Sequence, residues 1–466
     1  MHALFLPFLL LFLGCTVPQE VPLTSTIAIP KQYVEEQNTH ASVLLESIDY
    51  RWWETFNDNE LNSLVSTALK NNRELKVAME NVNAASAVLK QSNSLQSIQA
   101  DSTTSATRNI QSSSNDYNNL TLGLSASYEL DIWGRLDALE QASEYDLNAT
   151  QQELNSVAIT LSSEVALAWY RLLEQHQQLQ LLDRQIAINE NYLQLLTAQF
   201  NISNVRAADI IQQRQSLAAL HGEKEPTQAL FKRYKTQLAL LLGMDTSDAY
   251  LQALLSDVNL EKEYTTHFTS YRIDSTNLQE RPDVKAAYFR LRANSNRLSA
   301  SISNSYPRFS LGGTLYTSSE AIDELFKNWF ATLAASLSAP LLDGGRRKAE
   351  VEQHRALERA ALFSYEQTLL SALKEVQDAQ SALVHQGRYV KSIEQQALLS
   401  LTSMRQIRQQ YIYAKGDFLR LLTAQLNYEN LQRTNLSAKR ELIEKNIALH
   451  RAVASKITLP NTMETQ

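Results

Sequence analysis

Residues 119–132 read NLTLGLSASYELDI, and their spacing decides what kind of molecule this is. Leu120, Leu122, Leu124, Ala126, Tyr128, Leu130 and Ile132 occupy every second place, with Thr121, Gly123, Ser125, Ser127, Glu129 and Asp131 between them. A period of two puts one set on each face of a strand. A second run, WFATLAASLSAPLL from Trp329, alternates likewise, with Trp329, Ala331, Leu333, Ala335, Leu337, Ala339 and Leu341 on one side. Weaker partners precede each run: Ile98 to Thr107 in one case, and Phe309, Leu311, Gly313 and Leu315 in the other.

Each run exceeds the about 9–11 residues that cross a bilayer with tilt. Apolar-out with polar-in is the pattern of an outer-membrane barrel, and a soluble sandwich alternates too. The number of strands separates the two. Four cannot close a barrel, for which about eight is the practical minimum. An open edge in lipid leaves backbone groups unsatisfied. The chain is therefore expected to complete its barrel with copies of itself, and three copies give twelve strands.

The strands are separated by long helical stretches. Residues 134–200 contain no proline and no glycine after Gly134; at about 1.5 Å per residue such a helix reaches roughly 100 Å. Leu154, Val157, Leu161, Val165, Ala168 and Leu172 step by three or four, and Val376, Ala379, Leu383, Val390 and Ile393 keep the rhythm with one step of seven. That seam calls for coiled-coil packing.

The two halves are copies. Glu164 and Val165 fall on Glu375 and Val376, a shift of 211 residues. The same shift carries Leu172 to Leu383, Gln199 to Gln410, Gly134–Arg135 to Gly345–Arg346, and Ser92-Asn93-Ser94 to Ser303-Asn304-Ser305. One ungapped offset across helices, strands and turns marks an internal duplication. Repeat 1 spans 60–245, with strands at about 97–107 and 119–132 and helices at about 60–95, 134–200 and 204–243. Repeat 2 spans 281–456, with strands at about 307–317 and 328–341 and helices at about 282–303, 345–410 and 415–456. Residues 15–59, 246–280 and 457–466 are the N-terminal, inter-repeat and C-terminal segments.

Composition agrees. The 466 residues include only 11 Gly and 9 Pro, which suits long helices with few breaks. A net charge of −7 and the lack of a dense basic run argue against nucleic acid. The eight histidines form no HExxH-type motif and the single cysteine cannot make a zinc cluster, so no catalytic residue, metal or cofactor is expected. Asp343-Gly344-Gly345-Arg346 lacks the spacing of a phosphate loop and reads as a structural turn. After residue 15 no apolar stretch approaches the about 20 residues of a transmembrane helix.

The single cysteine stands where an apolar run ends, in LFLPFLLLFLGCTVPQ, residues 4–19. The run suits the core of a secretory signal, residues 1–14. Gly14-Cys15 resembles a bacterial lipobox, which implies acylation of Cys15, palmitate included, and a lipoprotein. Phe12 stands where the pattern prefers Leu, and no Lys or Arg precedes the run. An ordinary signal peptide with an incidental cysteine is the alternative.

Three segments make the likeness specific. SYELDIWGRL from Ser127, APLLDGGRRKAEV from Ala339 and RPDVKAAYFRLRA from Arg281 resemble the hallmark segments of the TolC-like outer-membrane factor family. The cysteine points to its NodT-type efflux lipoprotein branch. The likeness runs from WWETFNDNELNSLV at Trp52 to about Ala454. It implies a membrane α+β fold: a homotrimer with a twelve-stranded barrel in the lipid of the bacterial outer membrane and a helical coiled-coil barrel in the periplasm. It also implies a passive exit duct for drugs and other small molecules. Its partners are then a periplasmic adaptor and an inner-membrane transporter, commonly of the RND class. Type I protein secretion and a non-conducting envelope tether are the alternatives.

In the family the turns at the helix tips close the duct. Here those turns are FNISNVRAADIIQQ from Phe200 and YIYAKGDFLRLLTAQ from Tyr411, with Ser203 and Ala414 where glycine is usual. Asp209 matches a family aspartate and Leu419 a pore-narrowing leucine. Arg420 and Thr423 stand where acidic residues are common, so an acidic double ring is not carried over. Pairing of Asp209 with Arg420 across neighbouring helices is the expected latch. Gly134, Gly344 and Gly345 are the expected strand-to-helix turns, where unusual dihedrals favour glycine.

Overall fold

The computed structural model describes residues 32–33, 51–110, 116–201, 205–245, 273–274, 278–413 and 417–453. In chain order the elements are β1 (Gln32–Tyr33), a 3-10 turn (Trp52–Phe56), α1 (Asn59–Asn71), α2 (Arg73–Ser94), β2 (Gln99–Asn109), β3 (Tyr117–Leu130), α3 (Arg135–Asn201) and α4 (Ala207–Leu242). There follow β4 (Ile273–Asp274), α5 (Pro282–Ser303), β5 (Arg308–Ser319), β6 (Trp329–Ser338), α6 (Arg346–Ile412) and α7 (Phe418–Val453). The halves match in length: α2 and α5 have 22 residues each, α3 and α6 have 67, and α4 and α7 have 36. No helix among the described residues is long and apolar enough to cross a membrane.

The contacts divide the chain into two units. One includes residues 79–153 and 283–368 and holds a four-stranded antiparallel sheet in the order β2-β3-β5-β6. Its register separates the faces. Leu124 lies between Ser102 and Leu315, and Leu315 opposes Ala331, on one face. Ser125 lies between Asp101 and Thr314, and Thr314 opposes Thr332, on the other. To the apolar face β2 gives Ala100, Ser102, Thr104 and Ala106, with Arg108 near its end opposite Asn118. Within this sheet β2 and β6 pair on one side only. β6 stops at Ser338 and not at the expected 341, because Pro340 has no N–H for a ladder.

Strand hands over to helix through a fixed turn. Gly134 has φ +67°, a left-handed conformation that costs glycine little. The Asp131 carboxylate accepts the Arg135 N–H at 2.7 Å and the Asp137 N–H at 2.9 Å, capping α3. In the second half φ is +65° at Gly344 and +86° at Gly345, and Asp343 accepts the N–H groups of Gly345 and Arg347.

The other unit includes residues 51–78, 154–245 and 369–453. Trp52 is fully buried, donates its indole N–H to Ser162 Oγ at 3.1 Å and stacks on His450 with centroids 5.6 Å apart. Asp58 caps α1 through Leu61 N and accepts the Trp169 indole N–H at 3.0 Å. The expected single helix over 60–95 is broken at Asn72, which lies between α1 and α2. Its side chain accepts Leu75 N at 3.0 Å and donates to Leu241 O at 2.9 Å, so it both caps α2 and ties it to the end of α4. That end turns at Gly243, φ +69°, where a Cβ would lie 2.6 Å from Asn71 O.

Candidate functional site

The turns of the two helical hairpins, α3–α4 and α6–α7, meet in one cluster. α4 starts at Ala207 behind Arg206, whose backbone is extended (φ −81°, ψ 146°). The carboxylate of Asp209, in the first turn of α4, accepts the Arg206 backbone N–H at 3.3 Å and suits the helix N-terminus. The Arg206 guanidinium reaches back to both Asp209 oxygens, at 3.3 and 3.2 Å. The same Nη2 donates to Asp417 Oδ1 at 3.1 Å, in the turn of the second hairpin. The Asp209 side chain is 6% exposed, against 67% for Arg206 and 57% for Asp417. One cation thus joins a covered carboxylate to an open one.

Beneath these charges lies an apolar layer of Leu196, Phe418 and Leu422, with Val205, Ile210, Tyr411 and Leu426 against it. Tyr411 donates to Gln199 Oε1 at 3.0 Å and meets Phe418 edge-on. Burial, then the charges of Asp209 and Asp417, push the Tyr411 phenol up.

A polar layer follows. Glu429, 1% exposed, accepts from Asn189 at 2.9 Å and from Gln425 at 2.6 Å, both on Oε1. Gln213 donates to the backbone and side-chain oxygens of Asn189, each at 2.9 Å. Glu429 Oε2 and Gln213 Oε1 are buried without a partner among the described residues. Burial raises the Glu429 carboxyl above the usual range, against the opposing hydrogen bonds of Gln425 and Asn189 and the charge of Arg433. Leu182, Ile186 and Leu220 form the next apolar layer. Arg433 donates to Gln185 Oε1 at 2.5 Å and pairs with Glu223 at 3.3 Å, linking α7 to α3 and α4.

The structure distributes the expected gate residues unevenly. Asp209 sits at the centre of the charge cluster. Leu419 is 45% exposed, and Thr423, also exposed, donates to Leu419 O at 2.8 Å within α7. Arg420 is exposed and has no ion pair among the described residues. Within one chain the partner of Asp209 is therefore Arg206 and not Arg420. Sequence reasoning passed over Arg206, Asp417 and Glu429. For the first two a signal existed: the shift of 211 places Arg206 on Asp417 and Asp209 on Arg420, each pair opposite in charge. Cys15, the signal segment 1–14, the tail 457–466 and nearly all of 246–280 lie outside the described residues.

A four-stranded sheet whose edges are open among the described residues, with long paired hairpins, has the parts expected of an outer-membrane duct subunit. Comparison with known proteins gives the class. The family model for outer membrane efflux proteins matches residues 64–244 and 275–455. The pyoverdine export outer membrane protein OpmQ of Pseudomonas putida is 25% identical over 464 residues, covering 97% of each chain. The cation efflux system protein CusC of Escherichia coli O157:H7 is 25% identical over 452 residues, 94% of this chain and 95% of that one. A crystal structure of CusC superposes with a TM-score of 0.82 at 21% identity, covering 94% of this chain and all of that one. The Campylobacter jejuni CmeC outer membrane channel gives 0.82 at 20% identity, covering 93% and 95%.

This chain belongs to the outer membrane efflux protein family. It is an outer-membrane efflux channel. Its fold, a duplicated chain with a four-stranded sheet and paired long helices, is that of outer-membrane channels of known structure.

Proposed function

We propose that the trimer is a passive exit duct for small molecules, without chemistry of its own, closed at the hairpin turns by Arg206, Asp209 and Asp417. The carrying observation is that one guanidinium holds carboxylates from both hairpins, at 3.2 and 3.1 Å. Leu419, Arg420 and Thr423, exposed on the first turns of α7, are the side chains that narrow the bore and meet neighbouring copies. Arg420 then pairs between copies, leaving Asp209 to Arg206.

Single-channel conductance of Arg206→Ala and Arg420→Ala trimers tests this reading. Higher conductance in the first places the closure at the turns, and higher conductance in the second adds the contact between copies. Wild-type conductance in both removes the gate from this cluster. For the cargo, a deletion strain is compared for drug sensitivity and protein export. Loss of drug resistance alone supports small-molecule efflux, whereas loss of protein export alone supports type I secretion.

The domain plan that goes with this reading is a signal of residues 1–14, acylation at Cys15, and two repeats separated by 246–280. An acyl chain adds about 0.8 kcal/mol per buried CH₂, which favours holding a chain at the membrane before assembly. The mass of the N-terminal peptide decides the matter: an unmodified Cys15 ends the lipoprotein assignment.

A further inference from the structure

The face of the sheet opposite Leu120, Leu122 and Leu124 lines the bore of the barrel. It is mostly small and hydroxyl-bearing, as at Thr121, Ser125, Ser127, Thr314 and Thr332. Small side chains keep such a bore wide and wet. Tyr316 and Phe330 depart from this pattern. They oppose each other in the β5–β6 ladder and stack, with centroids 5.3 Å apart and planes at 21°. On its other flank Tyr316 opposes Gly123, whose missing Cβ would lie 3.5 Å from Tyr316 Cβ. The Tyr316 ring thus has an aromatic neighbour on one side and a bare backbone on the other.

Aromatic residues near a membrane boundary ordinarily face lipid, where an amphipathic ring spans the interface. Trp329 follows that rule: it occupies the apolar face, beside Phe326. Phe330, the next residue, occupies the opposite face, so the membrane does not account for it. Tyr316 and Phe330 are 40% and 52% exposed, which leaves ring surface open on the wall. Flat rings favour offset stacking on such a surface, and a phenol adds one hydrogen-bonding group. A duct must also release what it touches, so a small open platform suits passage better than an enclosed pocket.

We infer that the Tyr316–Phe330 pair, present three times around the bore, is a contact site for flat aromatic cargo on its way out. This rests on the trimeric duct and not on the gate proposed above. The test uses assembled wild-type and variant trimers in planar bilayers, with ethidium as the flat aromatic cation and tetrabutylammonium as the non-aromatic one, each added from the extracellular side. Tyr316→Leu and Phe330→Leu keep apolar bulk and remove one ring each; Tyr316→Phe keeps the ring. Ethidium blocks should shorten at least threefold in the two leucine variants and persist in Tyr316→Phe, while tetrabutylammonium blocks stay as in wild type. Unchanged ethidium blocks in either assembled leucine variant, or equal changes for both cations, overturn the site. Because the rings lie on different strands, each leucine variant reads the site without the other. Wild-type conductance of the unblocked channel separates loss of this site from damage to the gate.

Discussion

Arg206 and Asp417 stand 211 residues apart, hold the same place in the two halves of the duplicated chain, and meet at 3.1 Å. Three residues on, Asp209 and Arg420 are again equivalent and opposite in charge. Duplication first makes two identical hairpins, and identical charges at adjoining turns repel. Reversing the sign in one half turns that repulsion into attraction without altering either helix.

Removing Asp417 should loosen the hairpins from each other while leaving Arg206 on Asp209. Asp417→Ala trimers are expected to conduct more than wild type at low salt. Raising the salt should bring wild type toward the variant, because Arg206 and Asp417 are both well exposed and such pairs are screened. Conductance scaled to that of the bathing solution, measured at low and high salt, checks this. A constant ratio between the two proteins would argue for a non-electrostatic closure.

Glu429 should hold its proton to higher pH than an exposed carboxyl does. Its buried site raises the pKa, so its contribution to stability is full below the unfolded carboxylate value and declines as pH rises through the folded one. Glu429→Gln is expected to flatten that decline in thermal unfolding of detergent-solubilised trimers. Glu429→Ala leaves the donors of Asn189 and Gln425 without their acceptor and should cost about 1–3 kcal/mol.

His450 acts at the opposite end of the pH scale. Burial lowers its pKa from 6.5 to about 4. Its neutral form therefore stabilises the fold fully above about 6.5, and stability falls as pH drops from there toward about 4. The full loss is about 3 kcal/mol at 1.36 kcal/mol per unit. His450→Phe keeps a ring against Trp52 and should abolish this slope. Denaturant unfolding across that window provides the measurement, and a slope surviving in the variant would assign the titration elsewhere.

Two glycines should respond oppositely to alanine. At Gly243 the left-handed backbone and the approach to Asn71 O leave no room, so Gly243→Ala is expected to destabilise by about 1–3 kcal/mol. Gly222 lies inside α4 with open space around it, and Gly222→Ala should gain about 0.5–1 kcal/mol. Melting temperatures of the two variants, measured side by side, give the sign of each.

The sequence made the strands legible because period two at Leu120 to Ile132 needs no distant information. It made the duplication legible because one offset fixes every equivalent position, including the paired helices of 67 and 36 residues. The break at Asn72 was hidden, since its side chain is satisfied by Leu241, 169 residues away. The intrachain partner of Asp209 was not legible: Arg206 lies three residues away, and a local pair across a helix start leaves no mark in the periodicity. Glu429 was invisible for a different reason. On a helix rich in Gln, Asn and Glu a buried carboxylate looks like any solvated one, and only the packing of α3 and α4 against α7 distinguishes it.

The weakest lipid-facing surface of the sheet belongs to β2, where Ala100, Ser102, Thr104 and Ala106 stand opposite three leucines and Ala126. A solitary chain entering the bilayer would expose hydroxyls and an unfinished hydrogen-bonding margin to hydrocarbon, a transfer that solvation energetics oppose. Biogenesis should then run in a set order, with subunits associating while still in water and inserting afterwards as a closed ring.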